Sequence, residues 1–132
     1  MYAGLQTADA ANRGIAQDER RIIMRIKIYQ INNDLDKDMI KFRDHEFAMK
    51  KAGRIFPQIY ECVYDGTVQA NHLEDVYRIF NTDHPHDFKG HSLSVSDVVE
   101  IIGDDSSKFY FCDSFGFREI KFDSNKARRC DR

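Results

Sequence analysis

The sequence predicts an α+β fold: a small, mainly antiparallel sheet of about four or five strands packed against two short helices. Three observations carry that prediction. Runs with an apolar period of two, as in half-buried strands, alternate along the chain with runs of helical period. Two strand-like runs in the C-terminal half are joined by only five polar residues, GDDSS, which reads as an antiparallel hairpin. The chain has 132 residues, enough for one hydrophobic core and not for two.

Taken in order, residues 1–21 have no apolar period and read as a flexible or marginally helical leader. IIMRIKIYQI, from Ile22, puts Met24, Ile26 and Ile28 on one side and Arg25 and Lys27 on the other, the signature of a strand. NNDLDKD is a polar loop, and MIKF (39–42) is expected to form a second short strand. DHEFAMKKAG reads as a helix capped by Asp44 and ended by Gly53 in the left-handed conformation. RIFPQIYECVYDG reads as a strand closed by a turn at Asp65-Gly66. NHLEDVYRIFN is the clearest helix: Asn71 and Glu74 have capping-box spacing, and Leu73, Val76, Tyr77 and Phe80 form one apolar stripe. A polar loop, TDHPHDFKGHS, leads into SVSDVVEII and KFYFCDSFGFREIKF, the two arms of the hairpin. Ser114-Phe115-Gly116 is expected to bend the second arm, because Gly116 interrupts an aromatic run. Helices are expected on one face of the sheet. The domain is placed at residues 22–123, followed by a basic tail at 124–132.

Twenty basic and twenty-two acidic residues give a net charge of -2, which argues against a protein that coats nucleic acid or reads its sequence directly. No apolar run nears the roughly 20 residues that span a bilayer, and the N-terminus lacks the order of a signal peptide. A cytoplasmic location without membrane association is therefore expected. Cys62, Cys112 and Cys130 are odd in number and widely spaced, with no CxxC, so neither a disulfide scaffold nor a zinc ribbon is expected. Cys62 and Cys112, in strand-like runs, read as buried inert thiols, and Cys130 as an exposed, oxidisable one.

The order DHPHDFKGHSLSVSDVV (83–99) followed by FYFCDSFGF (109–117) resembles the YodL-like domain family. The resemblance runs over roughly residues 25–122, with Gly90-His91-Ser92 and Asp113 to Phe117 as its most recognisable elements. It implies a fold and a genomic setting: such proteins are carried by Firmicutes and their plasmids, phages and integrative elements, often beside anti-restriction genes. It implies no agreed catalytic activity.

The reactive side chains concentrate between Asp83 and Asp97, where Asp, Ser and His can brace a long loop by bonding its backbone. A zinc site would need His84 and His86, spaced HxH, with His91 or Asp87 as a third ligand, and Pro85 stands between the first two. A thiol hydrolase would use Cys62, His91 and Asp113 in papain-like order, but Cys62 falls within a strand. Ser92 and Ser114 lack a GxSxG elbow, and there is no phosphate loop. Phe109, Tyr110, Phe111, Phe115, Phe117 and Phe122 crowd one stretch; alternation forbids one core from taking all of them, so either helices cover both faces, or exposed aromatics form a binding surface, or the leader or the second subunit of a homodimer covers them. The reading that results is a non-enzymatic, protein-binding accessory factor of a mobile element, an anti-CRISPR or anti-restriction inhibitor of a host nuclease. Its expected binding residues are Asp104, Asp105, Phe115, Phe117, His91 and Asp113, with no cofactor and no catalytic residue. The alternatives are a regulator of a host cytoskeletal or replication protein, and a small metal- or thiol-dependent hydrolase using His91 and Asp113.

Overall fold

The computed structural model describes residues 22–130, so the expected leader lies outside the described residues. Strands β1 (Ile23–Ile31), β2 (Tyr60–Gln69), β3 (Val98–Ile102), β4 (Ser107–Cys112) and β5 (Phe117–Ile120) form one five-stranded sheet, with helices α1 (His45–Ala52) and α2 (Leu73–Thr82). The strand order is β2-β1-β3-β4-β5, and every pairing is antiparallel. The fold is the predicted α+β class.

Adjacent residues of a strand point to opposite faces, and here they enter different cores. Ile26, Ile28 and Val99 pack with Val76 and Phe80 of α2 and with Phe88 and Leu93 of the following loop. Tyr29, Val98 and Phe111 pack with Ala48 of α1 and with Phe122 and Ala127 of the C-terminal segment. The expectation of helices on one face is corrected: both faces carry buried aromatics, so each needs its own cover.

The helix ends follow the sequence. Asp44 accepts a hydrogen bond from the Phe47 amide, and Gly53 ends α1 at φ 85°. At α2 the capping carboxylate is Asp75, which accepts from the Asn71 and His72 amides at 2.9 and 3.2 Å; the expected Asn71–Glu74 pair is thus shifted by one residue. Val76 and Phe80 are fully buried, whereas Tyr77 is 43% exposed and leaves the predicted stripe at its rim.

Three other expectations are corrected. Residues 39–42 form no strand: Met39 and Phe42 have positive φ, the Asp36 carboxylate accepts from Ile40 and Lys41, Ser96 Oγ accepts from Phe42, and Met39 N donates to Asp36 O. Asp65-Gly66 is no turn. Gly66 pairs with Ile26 inside β2, and a Cβ there would lie 2.7 Å from the Tyr64 hydroxyl, so glycine makes room for a ring. The second hairpin arm is two strands: Asp113 N donates to Gly116 O at 2.9 Å and Gly116 adopts φ 74°, closing a tight turn between β4 and β5.

Cys62 and Cys130 are joined by a disulfide with Cα atoms 4.5 Å apart, which overturns the reading of a free buried thiol and a free exposed one. Neighbouring spacing in sequence gave no hint, since 68 residues separate them. Cys112 is free and buried as expected.

Candidate functional site

The end of the sheet at the β4–β5 turn gathers most of the chemistry. Between that turn and α2 lies a cleft of about 320 Å³, walled mainly by Tyr77, Val95 and Phe117, with Glu74 and Asp113 at its polar side and buried Cys112 beneath. Burial, with Asp97 and Asp113 nearby, pushes the Cys112 thiol up to about 12, so it is protonated and unreactive at neutral pH. Phe115, at the tip of the turn, is 96% exposed. Asp113 is occupied by structure: its carboxylate accepts from the His45 amide at 3.1 Å, from the Ser114 amide at 2.9 Å and from Arg118 at 3.3 Å. These bonds hold its pKa below the usual carboxylate value although burial opposes them.

A second constellation lies under the 83–97 loop. The bulge at Val63, skipped between the Ile28–Tyr64 and Tyr29–Cys62 pairs, leaves the Val63 carbonyl to accept from the Lys89 amide at 3.0 Å. Gly90 then crosses Gln30 so closely that a Cβ would fall 2.0 Å from Gln30 Oε1. Gln30 Oε1 accepts from His91 N at 3.1 Å, and Gln30 Nε2 donates to His91 O at 2.8 Å and to Asp97 Oδ2 at 3.0 Å. Asp97 Oδ2 also accepts from Ser94 N at 2.7 Å. Ser96, buried at φ 84°, donates its amide to Cys112 O, and its carbonyl accepts from the Tyr60 hydroxyl at 2.7 Å.

His91 Nδ1 donates to Ser92 O at 2.7 Å, which leaves Nε2 as the free lone pair of a neutral ring. Asp97 Oδ1 lies 4.0 Å from that Nε2; both atoms are buried and neither has a hydrogen-bond partner among the described residues. Burial lifts Asp97 well above the usual carboxylate range and holds His91 below its usual value. Burial thus favours the uncharged form of each group. Neither atom reaches the surface; the loop is held by the Gln30 bonds to the His91 backbone and to Asp97, and by Ser94 N on Asp97.

The structure brings His91, Asp113, Phe115 and Phe117 to one end of the sheet. Asp104 and Asp105 lie in the β3–β4 turn at the other end of β4, whose six residues span roughly 20 Å. His84 meets Phe88 edge-on with ring centroids 5.3 Å apart while His91 bonds Ser92 and Gln30, and among the described residues no three His, Cys, Asp or Glu side chains converge as metal ligands. Cys62 is bonded to Cys130, and His91 faces Asp97 rather than Asp113, so the Cys62–His91–Asp113 arrangement is not assembled. Sequence reasoning missed Gln30 and the role of Asp97. Gln30 continues the buried side of Met24, Ile26 and Ile28, and a polar residue on that side signals buried partners. Glu74 and Val95 gave no signal.

Among the described residues, no helix is long and apolar enough to cross a membrane. No curated protein and no solved structure matches the chain. A family model described as YodL-like domain matches residues 25–122, and those residues hold all five strands but for two positions, both helices and both constellations. The chain belongs to the YodL-like domain family.

Proposed function

We propose that this protein is a non-enzymatic, protein-binding accessory factor that inhibits a host defence nuclease, and that it binds through the β4–β5 turn. The observation that carries this is Phe115: a large apolar side chain 96% exposed on a tight turn, beside a mostly apolar cleft. A rigid aromatic tip of this kind loses little conformational freedom on entering a partner's pocket. Glu74 borders the cleft, and Glu119 shares the sheet face of Phe117 by strand alternation. These carboxylates suit the basic groove with which a nuclease holds its phosphate backbone.

The test mixes the purified chain with a panel of RNA-guided and restriction nucleases and reads complex formation and DNA cleavage. Inhibition at stoichiometric ratio is expected, with Phe115→Ala weakening it about tenfold or more. Asp104→Asn with Asp105→Asn, at the far end of β4, is expected to leave it unchanged. A complex indifferent to Phe115→Ala, or a panel without one inhibited nuclease, overturns the reading.

A further inference from the structure

The opposite side of the molecule carries a separate constellation around the Cys62–Cys130 disulfide. A polar cleft of about 340 Å³ runs along it, lined by Lys27, Tyr29, Ser124, Arg128, Arg129 and both cysteines. None of Lys27, Arg128 and Arg129 forms an ion pair among the described residues, whereas Asp65, also in the wall, is bridged by Arg25 at 2.6 Å. The cleft is thus cationic, and a disulfide forms part of its wall. Cys62 is buried and Cys130 half-buried, so Cys130 is the more exposed half of the bridge.

We propose that this cleft is a thiol–disulfide exchange site for small anionic thiols, and that exchange releases the C-terminal segment from β2. The cations raise the local concentration of an anionic thiolate and stabilise the thiolate that leaves. The incoming thiolate attacks Cys130 Sγ and forms a mixed disulfide. The Cys62–Cys130 bond breaks with its electron pair on Cys62, whose thiolate then takes a proton from water. A second thiolate attacks the small thiol's own sulfur in the mixed disulfide, giving the oxidised thiol dimer and a Cys130 thiolate. Two thiols are oxidised for one protein disulfide reduced. What then holds residues 128–130 to β2 is two backbone bonds, Cys62 N donating to Arg128 O and Arg128 N donating to Tyr60 O, both at 2.9 Å, while Phe122 and Ala127 stay buried in the core.

The oxidised full chain is treated with 2-mercaptoethanesulfonate, 2-mercaptoethanol or cysteamine at equal thiolate concentration, quenched by alkylation and weighed. Rates are divided by those on a neutral small-molecule disulfide, which removes intrinsic reactivity. The anionic thiol is expected to exceed the cationic one by about tenfold, as steering into a charged cleft requires. That ratio is expected to fall below about threefold in molar salt and in Lys27→Gln/Arg129→Gln. Amide exchange at Cys62 and Arg128 is expected to accelerate on reduction. Equal normalised rates for the three thiols, unchanged amide exchange, or a purified chain whose Cys62 and Cys130 alkylate without reductant each overturn the proposal.

Discussion

The two faces of the sheet are covered in different ways. Over Ile26, Ile28 and Val99 lies one amphipathic helix, α2, whose Val76 and Phe80 are fully buried, with the next loop pinned to it by Phe88. Over Tyr29, Val98 and Phe111 lies a composite of α1, the Ile40 and Ile55 segments and the C-terminal Phe122 and Ala127. A single helix covers a sheet by periodicity alone. A cover made of separate segments needs point attachments, and here they are visible: the Asp36 carboxylate on Ile40 N and Lys41 N, Asp113 on the His45 amide, the Tyr60 hydroxyl on Ser96 O, and the disulfide at the chain's end.

The contrast can be broken at its strongest point first. Phe80→Ala removes a fully buried ring that contacts Tyr64 and Phe88, and is expected to cost about 3–5 kcal/mol in urea unfolding. Phe122→Ala, at the margin of the composite cover, is expected to cost less; an equal cost would erase the distinction. Next, Cys130→Ser opens a closed loop of 68 residues and is expected to cost about 2–4 kcal/mol under oxidising conditions. In reductant the variant and the wild type should unfold alike.

The third prediction sharpens the helix-covered side and concerns pH. Asp97 has its pKa raised by burial, so the folded protein holds a proton that the unfolded chain gives up near pH 4. The stabilisation is complete below that value and is lost as pH rises through the folded pKa. Asp97→Asn keeps an oxygen for Gln30 and Ser94 and turns an NH2 donor toward His91 Nε2; it is expected to flatten that decline in thermal melts from pH 4 to 8. An unaltered pH profile would show that Asp97 is ionised in the fold. The smallest effect belongs to Phe115→Ala, within about 0.5 kcal/mol of wild type, because its exposed ring contributes no core burial.

What the sequence shows follows the same division. Helix α2, strand β1 and the hairpin over GDDSS obey local periods, and each forms where the pattern puts it, because one residue's neighbours decide its burial. The 39–42 segment misleads: MIKF has strand-like residues, but Asp36 and Ser96 take its amides, and Ser96 lies 54 positions from Phe42. Asp65-Gly66 misleads because a turn pair was also a place for Tyr64 to pack. Of the candidate site, Phe115 was legible as one aromatic too many for a core. The cleft beside it was not, since Glu74, Val95 and Phe117 meet only through the sheet. The disulfide was hidden for the same reason.

The parallel backbone pairing of Arg128 alongside Glu61, made by the bonds to Tyr60 and Cys62, bears on the behaviour of many molecules together. β2 is ten residues long and stands at the end of the sheet, a template on which another chain's strand could be added. The C-terminal segment occupies the Tyr60 carbonyl and the Cys62 amide on that side. At the other end, β5 is only four residues long and carries Arg118 and Glu119. Each margin is thereby a poorer template, one where the chain itself pairs with Tyr60 and Cys62, the other through brevity and charge. The C-terminal segment therefore disfavours addition of a second copy's strand at the Tyr60–Cys62 end of β2.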